Sequence, residues 1–393
     1  MKQFENEFFK KISFDKDIVD NKNSLTQNIF NKNIIVIGGA GTIGSSYIKQ
    51  ILKYEPSKIT VVDINENGLT ELTRDLRSSN LLDYGPKYIT YPVNLLSDTF
   101  NKIFNLESWQ VVANFSAHKH VRSEKDKISI EALIKNNVYG AIKLLNLCEQ
   151  NPPKFFFSVS TDKAANPVNI MGASKSLMEK LILSKKNEFR VSTARFANVA
   201  FSNGSLLDGF VYRLNKCQPL SCPNDIKRFF VTPEQSGQIC LLATFLGSSG
   251  NIFFPKLDFH KDQIYFKDIA LDFLEKNGFK PYLVQSEQEA KQFDFDHNPS
   301  KKYPIYFFKT DTSGEKKYEE FYTEEEDNQT DIFYSLGFIN TSKIKISFDD
   351  VLSDFDSVFT NPNSKKSDII RVIRKYVSDF EHIETGKNLD QKM

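Results

Sequence analysis

Three sets of residues in this chain have types and spacing suited to chemistry. The first is a run of glycines, Gly38, Gly41 and Gly44, in Gly38-Gly39-Ala40-Gly41-Thr42-Ile43-Gly44. Glycines so spaced admit positive φ and let the backbone approach a pyrophosphate. The helix starting at Thr42 and Ile43 then points its N–H groups at the phosphate oxygens. The second is Asp63, nineteen residues after Gly44 at the end of an apolar run. A carboxylate there accepts hydrogen bonds from adenosine ribose hydroxyls and repels a 2′-phosphate. The cofactor expected is NAD, with NADP open if a nearby Lys or Arg offsets the acid. The third is Thr161-Asp162-Lys163, a hydroxyl, a carboxyl and an amine in succession, with a second amine at Lys175. Such a trio can exchange protons with a bound substrate. Taken alone, it fits equally well a helix N-cap followed by two solvated charges.

An alternation of strands and helices must position these groups. Residues 33–37 form a short β-branched run that ends in the glycines, as a fully buried parallel strand does. A helix over 42–54 follows, then a strand over 58–63, a helix over 67–78, and strands over 88–93 and 111–115. A long amphipathic helix lies within 128–151, a strand over 154–160, a helix over 169–186 and a strand over 190–195. This order predicts βαβ units: an α/β fold with a Rossmann-type doubly wound parallel sheet.

Beyond residue 200 the pattern loosens into short elements and polar loops, including the acidic run Glu324-Glu325-Glu326-Asp327. The expected division is an N-terminal extension (1–32), polar with some helical character, and a dinucleotide-binding domain (33–200). A smaller substrate-binding lobe partly interleaved with the sheet (201–345) follows, then a helical C-terminal segment (346–393). In that last segment Ile369, Ile370, Ile373, Tyr376 and Val377 share one helix face.

Composition narrows the function classes. A net charge of +1 gives no general electrostatic reason to expect nucleic acid or a membrane surface as partner, so phosphate binding has to be local. No stretch approaches the ~20 apolar residues needed to cross a bilayer, and the first thirty residues lack a signal peptide's apolar core. A cytoplasmic location is expected. Cys148, Cys217, Cys222 and Cys240 form no C-x-x-C pair and have no His cluster beside them, so reduced thiols are expected and no metal site.

Residues 158–180 read SVSTDKAANPVNIMGASKSLMEK. This segment resembles the CapD-like group of extended short-chain dehydrogenase/reductases, the nucleotide-diphospho-N-acetylglucosamine 4,6-dehydratases. The family pattern S-T-D-K-A-x-x-P-x-x-x-[YM]-G-A-[ST]-K is met from Ser160 to Lys175. The resemblance extends through Phe115-Ser116-Ala117-His118-Lys119-His120-Val121, Asn137-Val138-Tyr139-Gly140, Arg195-Phe196-Ala197-Asn198-Val199, Arg228-Phe229-Phe230-Val231-Thr232 and Gly314-Glu315-Lys316. It covers most of residues 33–325.

The resemblance implies a reaction and roles. Hydride leaves sugar C4 for the cofactor; Lys163 removes the acidified C5 proton while Asp162 protonates the departing 6-hydroxyl; hydride then returns to C6. Thr161 would bond the 4-hydroxyl. Lys175 would contact the nicotinamide ribose, and Met171 stands where most relatives carry the tyrosine one turn before it. A thioether cannot exchange a proton, so a water or Thr161 relaying towards Lys175 is the expected substitute. Asn94, Leu95, Phe115, Ser116 and Ala117 join Gly38, Gly41, Thr42, Ile43, Gly44, Asp63 and Lys175 as candidates for the cofactor. Lys119, His120, Asn198, Arg228 and Glu315 are candidates for the nucleotide sugar, Arg228 for its planar fork.

Thr312 stands where UDP-sugar relatives carry an arginine that contacts the nucleotide, and this favours GDP over UDP. The ending His382-Ile383-Glu384-Thr385-Gly386-Lys387 is similar to the legionaminic-acid branch of the family. Relatives pair through two long helices, so a homodimer or larger assembly is expected. The alternatives are a nucleotide-sugar 4-epimerase, which would depend on the missing tyrosine, and a silent cofactor-binding module.

Overall fold

The computed structural model describes residues 8, 9, 12–311, 314, 316, 318–342 and 344–384. Runs of β-branched and aromatic residues form six parallel strands: β1 (Asn33–Ile37), β2 (Lys58–Asp63), β3 (Lys87–Pro92), β4 (Val111–Asn114), β5 (Phe155–Val159) and β6 (Val191–Ala194). Their order is β3-β2-β1-β4-β5-β6. The inner strands are buried along their whole length, which is why NIIVI and FFFSV read as continuous apolar runs. The chain changes direction across the sheet between β1 and β4, so a crevice opens at their carboxyl ends. This is a Rossmann-type doubly wound sheet.

Three more strands widen it. Asn251–Pro255 pairs in parallel with β6, Leu336–Asn340 antiparallel with Asn251–Pro255, and Asp327–Gln329 closes the edge. Helix α1 (Thr42–Leu52) follows the glycine turn, α2 (Ile170–Ser184) carries Met171 and Lys175, and α3 (Pro233–Phe245) packs beside α1. The α1–α3 contact is close enough that a Cβ on Gly237 would stand 2.4 Å from the Ser46 carbonyl oxygen. The stretch 201–345 therefore divides. Its late strands and α3 belong to the large sheet. Leu220–Pro223, Lys302–Phe308 and Lys280–Val284 make a separate three-stranded parallel sheet over a core of Leu207, Phe210, Phe273, Tyr303 and Ile305.

Two segments differ from a plain reading of their polarity. The described part of the N-terminal extension forms helices Asp15–Asp20 and Lys22–Ile29 that are packed down rather than free. Phe14, Leu25 and Ile29 are buried in the core of the large sheet and Phe9 in that of the smaller lobe. Buried Asp17 accepts from the backbone N–H groups of Tyr334 and Ser335, each at 2.7 Å. At the other end, α4 (Phe348–Thr360) and α5 (Lys366–Tyr376) place Val351, Phe355, Ile369 and Ile373 in one core with Ile130, Val138, Ile142, Leu177 and Leu181. Tyr139 donates to Asp356 Oδ1 at 2.8 Å and Lys180 to the Tyr376 carbonyl at 3.0 Å. The C-terminal helices thus pack against the helices of residues 127–150 and 170–184.

Among the described residues no helix is long and apolar enough to cross a membrane. Cys148, Cys222 and Cys240 are buried, Cys217 is exposed, and all four are free thiols.

Candidate active site

At the carboxyl end of β1 the glycine turn is held by close backbone approach. Gly38 has φ +73°, and a Cβ there would stand 2.5 Å from the Ser116 N and 2.6 Å from the Phe115 carbonyl carbon. At Gly44 it would meet the Gly38 carbonyl oxygen at 2.5 Å, so α1 starts directly beneath the turn. At Gly41 the closest atom is that same oxygen at 3.5 Å, which leaves this side of the turn open. Asp63 Oδ2 accepts from Ala40 N at 2.9 Å and Oδ1 from Asn65 N at 3.0 Å. The acid therefore braces the turn. Thr42 Oγ1 accepts from Asn203 N at 3.0 Å. Asn94 caps its own loop by accepting from Leu96 N, and buried Leu95 packs on Gly140. A turn with no room for a Cβ at 38 or 44, open at Gly41 and with a carboxylate at the end of β2, fits a dinucleotide.

The Thr161–Lys163 segment leaves β5 at the same end of the sheet. Thr161 caps a short turn, Asp162–Ala164, accepting from Lys163 N and donating its hydroxyl to Asp162 Oδ1 at 2.9 Å. Lys163 Nζ lies 3.0 Å from that same Oδ1. The trio is thus a connected unit, with Asp162 buried and Lys163 a fifth exposed. Burial works against the Lys163 ammonium, but the carboxylates of Asp162 and Glu319 outweigh it and raise its pKa above the ordinary lysine value.

The start of α2 is pressed against this turn. A Cβ on Gly172 would stand 2.4 Å from the Lys163 carbonyl oxygen, while Asn169 caps the helix by accepting from Gly172 N at 2.7 Å. That contact explains the glycine next to Met171. Met171 is buried. Lys175 lies fully inside, donating to the Val159 carbonyl at 2.7 Å. Burial brings its pKa down to about 8, with Glu179 one turn on pulling the other way. The helix of residues 127–150 passes through a π-helical turn at Lys135–Tyr139. There Asn137 clamps the His118 backbone at both N and O and donates to Ser174 Oγ. A π-turn lets one side chain reach inward out of the regular helical register.

The substrate candidates separate. Arg228 is buried with its guanidinium given to protein: Nη1 donates to Lys227 O at 2.8 Å, Nη2 to Lys316 O at 2.9 Å, and Nη2 lies 3.6 Å from Glu319 Oε1. It sits beside Lys163 rather than alone in a cleft. Asn198 begins a two-residue strand paired with Phe230–Val231. Lys119 donates to Asn203 O, and His120 lies over Gly204 at a spacing a Cβ would feel at 3.2 Å. These two therefore adjoin the loop that holds Thr42. Glu315, Thr312 and residues 385–387 lie outside the described residues.

Sequence reasoning missed Glu319, Glu124 and His382. Glu319 is buried and reaches both Lys163 and Arg228 at 3.6 Å. Buried Glu124 accepts from Met171 N at 2.8 Å, and its other oxygen is 3.7 Å from His382 Nε2. His382 arrives on a C-terminal strap in which Glu381 N donates to Pro167 O, Ile383 N to Val168 O, and Gly314 N to Ile383 O. Nothing in a single sequence marks a Glu within an acidic run, or a His near a chain's end, as a neighbour of residues 163–171.

The sequence pattern described as polysaccharide biosynthesis protein matches residues 34–339. Among curated relatives, an uncharacterized membrane protein of Methanocaldococcus jannaschii is 31% identical over 301 residues, 75% of this chain and 81% of that one. The capsular polysaccharide biosynthesis protein CapD of Staphylococcus aureus is 29% identical over 65% of this chain, which spans only 42% of it. A UDP-N-acetylglucosamine 4,6-dehydratase (inverting) of Campylobacter jejuni is 30% identical over 58% of this chain and 67% of its own. Among solved structures, Pen from Bacillus thuringiensis superposes with a TM-score of 0.65 at 20% identity, covering 89% of this chain and 98% of that one.

Proposed function

This chain belongs to the polysaccharide biosynthesis protein family, and from that premise we propose that it is a nucleotide-sugar 4,6-dehydratase. The substrate that the resemblance implies is a nucleoside-diphosphate N-acetylglucosamine, and the product is its 4-keto-6-deoxy form. The observation that carries the reading is the connected Thr161–Asp162–Lys163 unit, with carboxylate and amine 3.0 Å apart at the end of the sheet that bears the glycine turn.

A nicotinamide dinucleotide, NAD by the placement of Asp63, would supply a reversible hydride store when held by the glycine turn. The chain's own part is the movement of protons. In the resting pair Lys163 is an ammonium and Asp162 a carboxylate. Transfer of one proton across 3.0 Å turns them into a free amine and a carboxylic acid, the base and acid that elimination across C5 and C6 requires. After the amine takes the C5 proton and the acid gives its proton to the leaving hydroxyl, the pair is again ammonium and carboxylate, and the ammonium can return a proton to C5 when hydride enters C6. The proton carried off in the water is then replaced by the one released from the C4 hydroxyl, which resets the pair.

Loss of the C4 hydroxyl proton needs another acceptor, because the Met171 thioether is none. Lys175, brought down to about 8, has a substantial neutral fraction near pH 7–8 and can take that proton through Thr161 or a water. An epimerase would need a proton exchanger at position 171 and has no use for the Asp162–Lys163 pair.

Thr312 in place of a cation supports GDP as the nucleotide, whereas the Campylobacter relative is named for a UDP sugar. Incubating the protein with UDP- and GDP-N-acetylglucosamine in turn, followed by mass spectrometry, tests both parts. A product lighter by one water is expected, with GDP the faster substrate. An isobaric product would replace this reading with epimerisation, and an unchanged sugar with a silent module.

A further inference from the structure

Lys163 has a second carboxylate beside it, and that carboxylate has no assigned work. Glu319 Oε1 is 3.6 Å from Lys163 Nζ and 3.6 Å from Arg228 Nη2, and its side chain is only 3% exposed. Its other oxygen, Oε2, is buried without a hydrogen-bond partner among the described residues. An acid so buried, with half its acceptor capacity unused, is costly to the fold and is kept in place by charge.

The segment that carries it is pinned from three sides. Arg228 Nη2 donates to the Lys316 carbonyl, Lys316 Nζ donates to the Ala165 carbonyl at 3.2 Å, and Arg195 donates to the Phe321 carbonyl and grips Glu326. Arg195 is itself bidentate on Glu179 of α2. The loop is therefore bolted to the same helix and turn that hold Lys175 and Lys163.

We propose that Glu319 is a positioning residue for the Asp162–Lys163 pair, whose negative charge fixes Lys163 Nζ and sets the pH window in which the pair holds its single proton. This rests on the dehydratase reading for its catalytic meaning, though not for its electrostatics. The charged groups facing Lys163 are Asp162 from its own turn, Glu319 and Lys316 from the pinned loop, and Arg228 from strand Lys227–Arg228. Without Glu319, three cations would face one carboxylate. Burial lifts the Glu319 carboxyl above its ordinary range, with Lys163 opposing the rise.

The sign of the effect follows from charge. The pair works while it holds one proton, gaining a second in acid and losing its only one in base. Replacing the Glu319 anion by a neutral amide makes both protonated forms less favourable, so both limbs of a bell-shaped rate profile move to lower pH. A merely structural residue would change the height of the bell and leave its limbs in place.

The test compares wild type with Glu319→Gln and Glu319→Asp. One measurement is the pH profile of product formation. The other is the titration of the Lys163 Nζ resonance by 15N NMR, assigned with Lys163→Arg. In Glu319→Gln the expected results are a Lys163 midpoint lower by about one unit or more, a tenfold change in acidity, and kcat down about tenfold or more with KM within a few-fold. Both limbs should shift to acid. Glu319→Asp, which keeps the charge at a longer reach, should keep the limbs near their wild-type positions and lose kcat only. A Lys163 midpoint unmoved in Glu319→Gln overturns the proposal, whatever the reaction proves to be. A wild type that leaves both sugars undehydrated, with the midpoint shift present, overturns the dehydratase reading alone. Should Glu319→Gln not fold, Glu319→Asp decides: limbs displaced as far as a full charge loss would displace them sink the proposal.

Discussion

The proposed cofactor site and the proposed catalytic site of this molecule are built at different ranges along the chain. Around the glycine turn, the groups that shape the cradle run from Gly38 to Ser116 and leave neighbouring strands of one sheet. Around Lys163, the charged groups come from residues 162, 163, 228, 316 and 319, and the bracing from residues 124, 169 and 381–383. The first site follows from backbone geometry that a few glycines impose. The second exists only after distant loops have been tied together by buried charge. A short-range site should therefore fail by steric insult at one position, and a long-range one by loss of any one partner's charge.

The largest effect expected is from Lys163→Ala. Removing the amine takes away base and reset together, so turnover should fall by about two to four orders of magnitude. The dinucleotide should still bind, because the cradle shares no atom with Lys163. Equilibrium dialysis with NAD beside the rate assay checks both halves, and normal turnover would remove Lys163 from the mechanism.

Gly38→Ala reverses that pattern. The residue needs φ +73° and a Cβ would meet backbone at 2.5 Å, so the strain is of order 1–3 kcal/mol and the turn must shift. NAD affinity should fall about tenfold or more while the Asp162–Lys163 pair keeps its geometry. Unchanged NAD binding would mean that this turn is not the cradle.

The smallest and most local effect is the pH dependence of C4 oxidation. Lys175 is charged below about 8 and neutral above it, so this step should quicken as pH rises through that value and then level off. Lys175→Arg stays charged throughout and should lose both the slope and the step. A wild-type rate flat between pH 7 and 9 would assign the proton to another group.

What was legible in the sequence follows the same division. The parallel strands, the glycine turn and Asp63 stand where the run of apolar residues and glycines puts them, because each is set by contacts within one βαβ unit. The Asp162–Lys163 pair was legible as a motif, since its members are adjacent. Its surroundings were not. Arg228, a candidate for the nucleotide sugar, is enclosed against Glu319 and Lys316 O, a partnership between strands and loops that no local spacing encodes. The packed N-terminal helices escaped notice because their four anchors, Phe9, Phe14, Leu25 and Ile29, are diluted among polar residues. The π-turn at Asn137 was read as ordinary helix, since its apolar spacing differs from 3.6 residues by a single inserted position.

The C-terminal strap bears on how the protein is made. Glu381 and Ile383 join Pro167 and Val168 across more than half of the chain, and closing so long a loop is entropically dear and slow. On a ribosome the dinucleotide half can fold long before His382 has been synthesised. The brace behind Met171 is thus delivered after the glycine turn, and the growing chain can hold the proposed nucleotide cradle before the proposed proton-handling centre is finished.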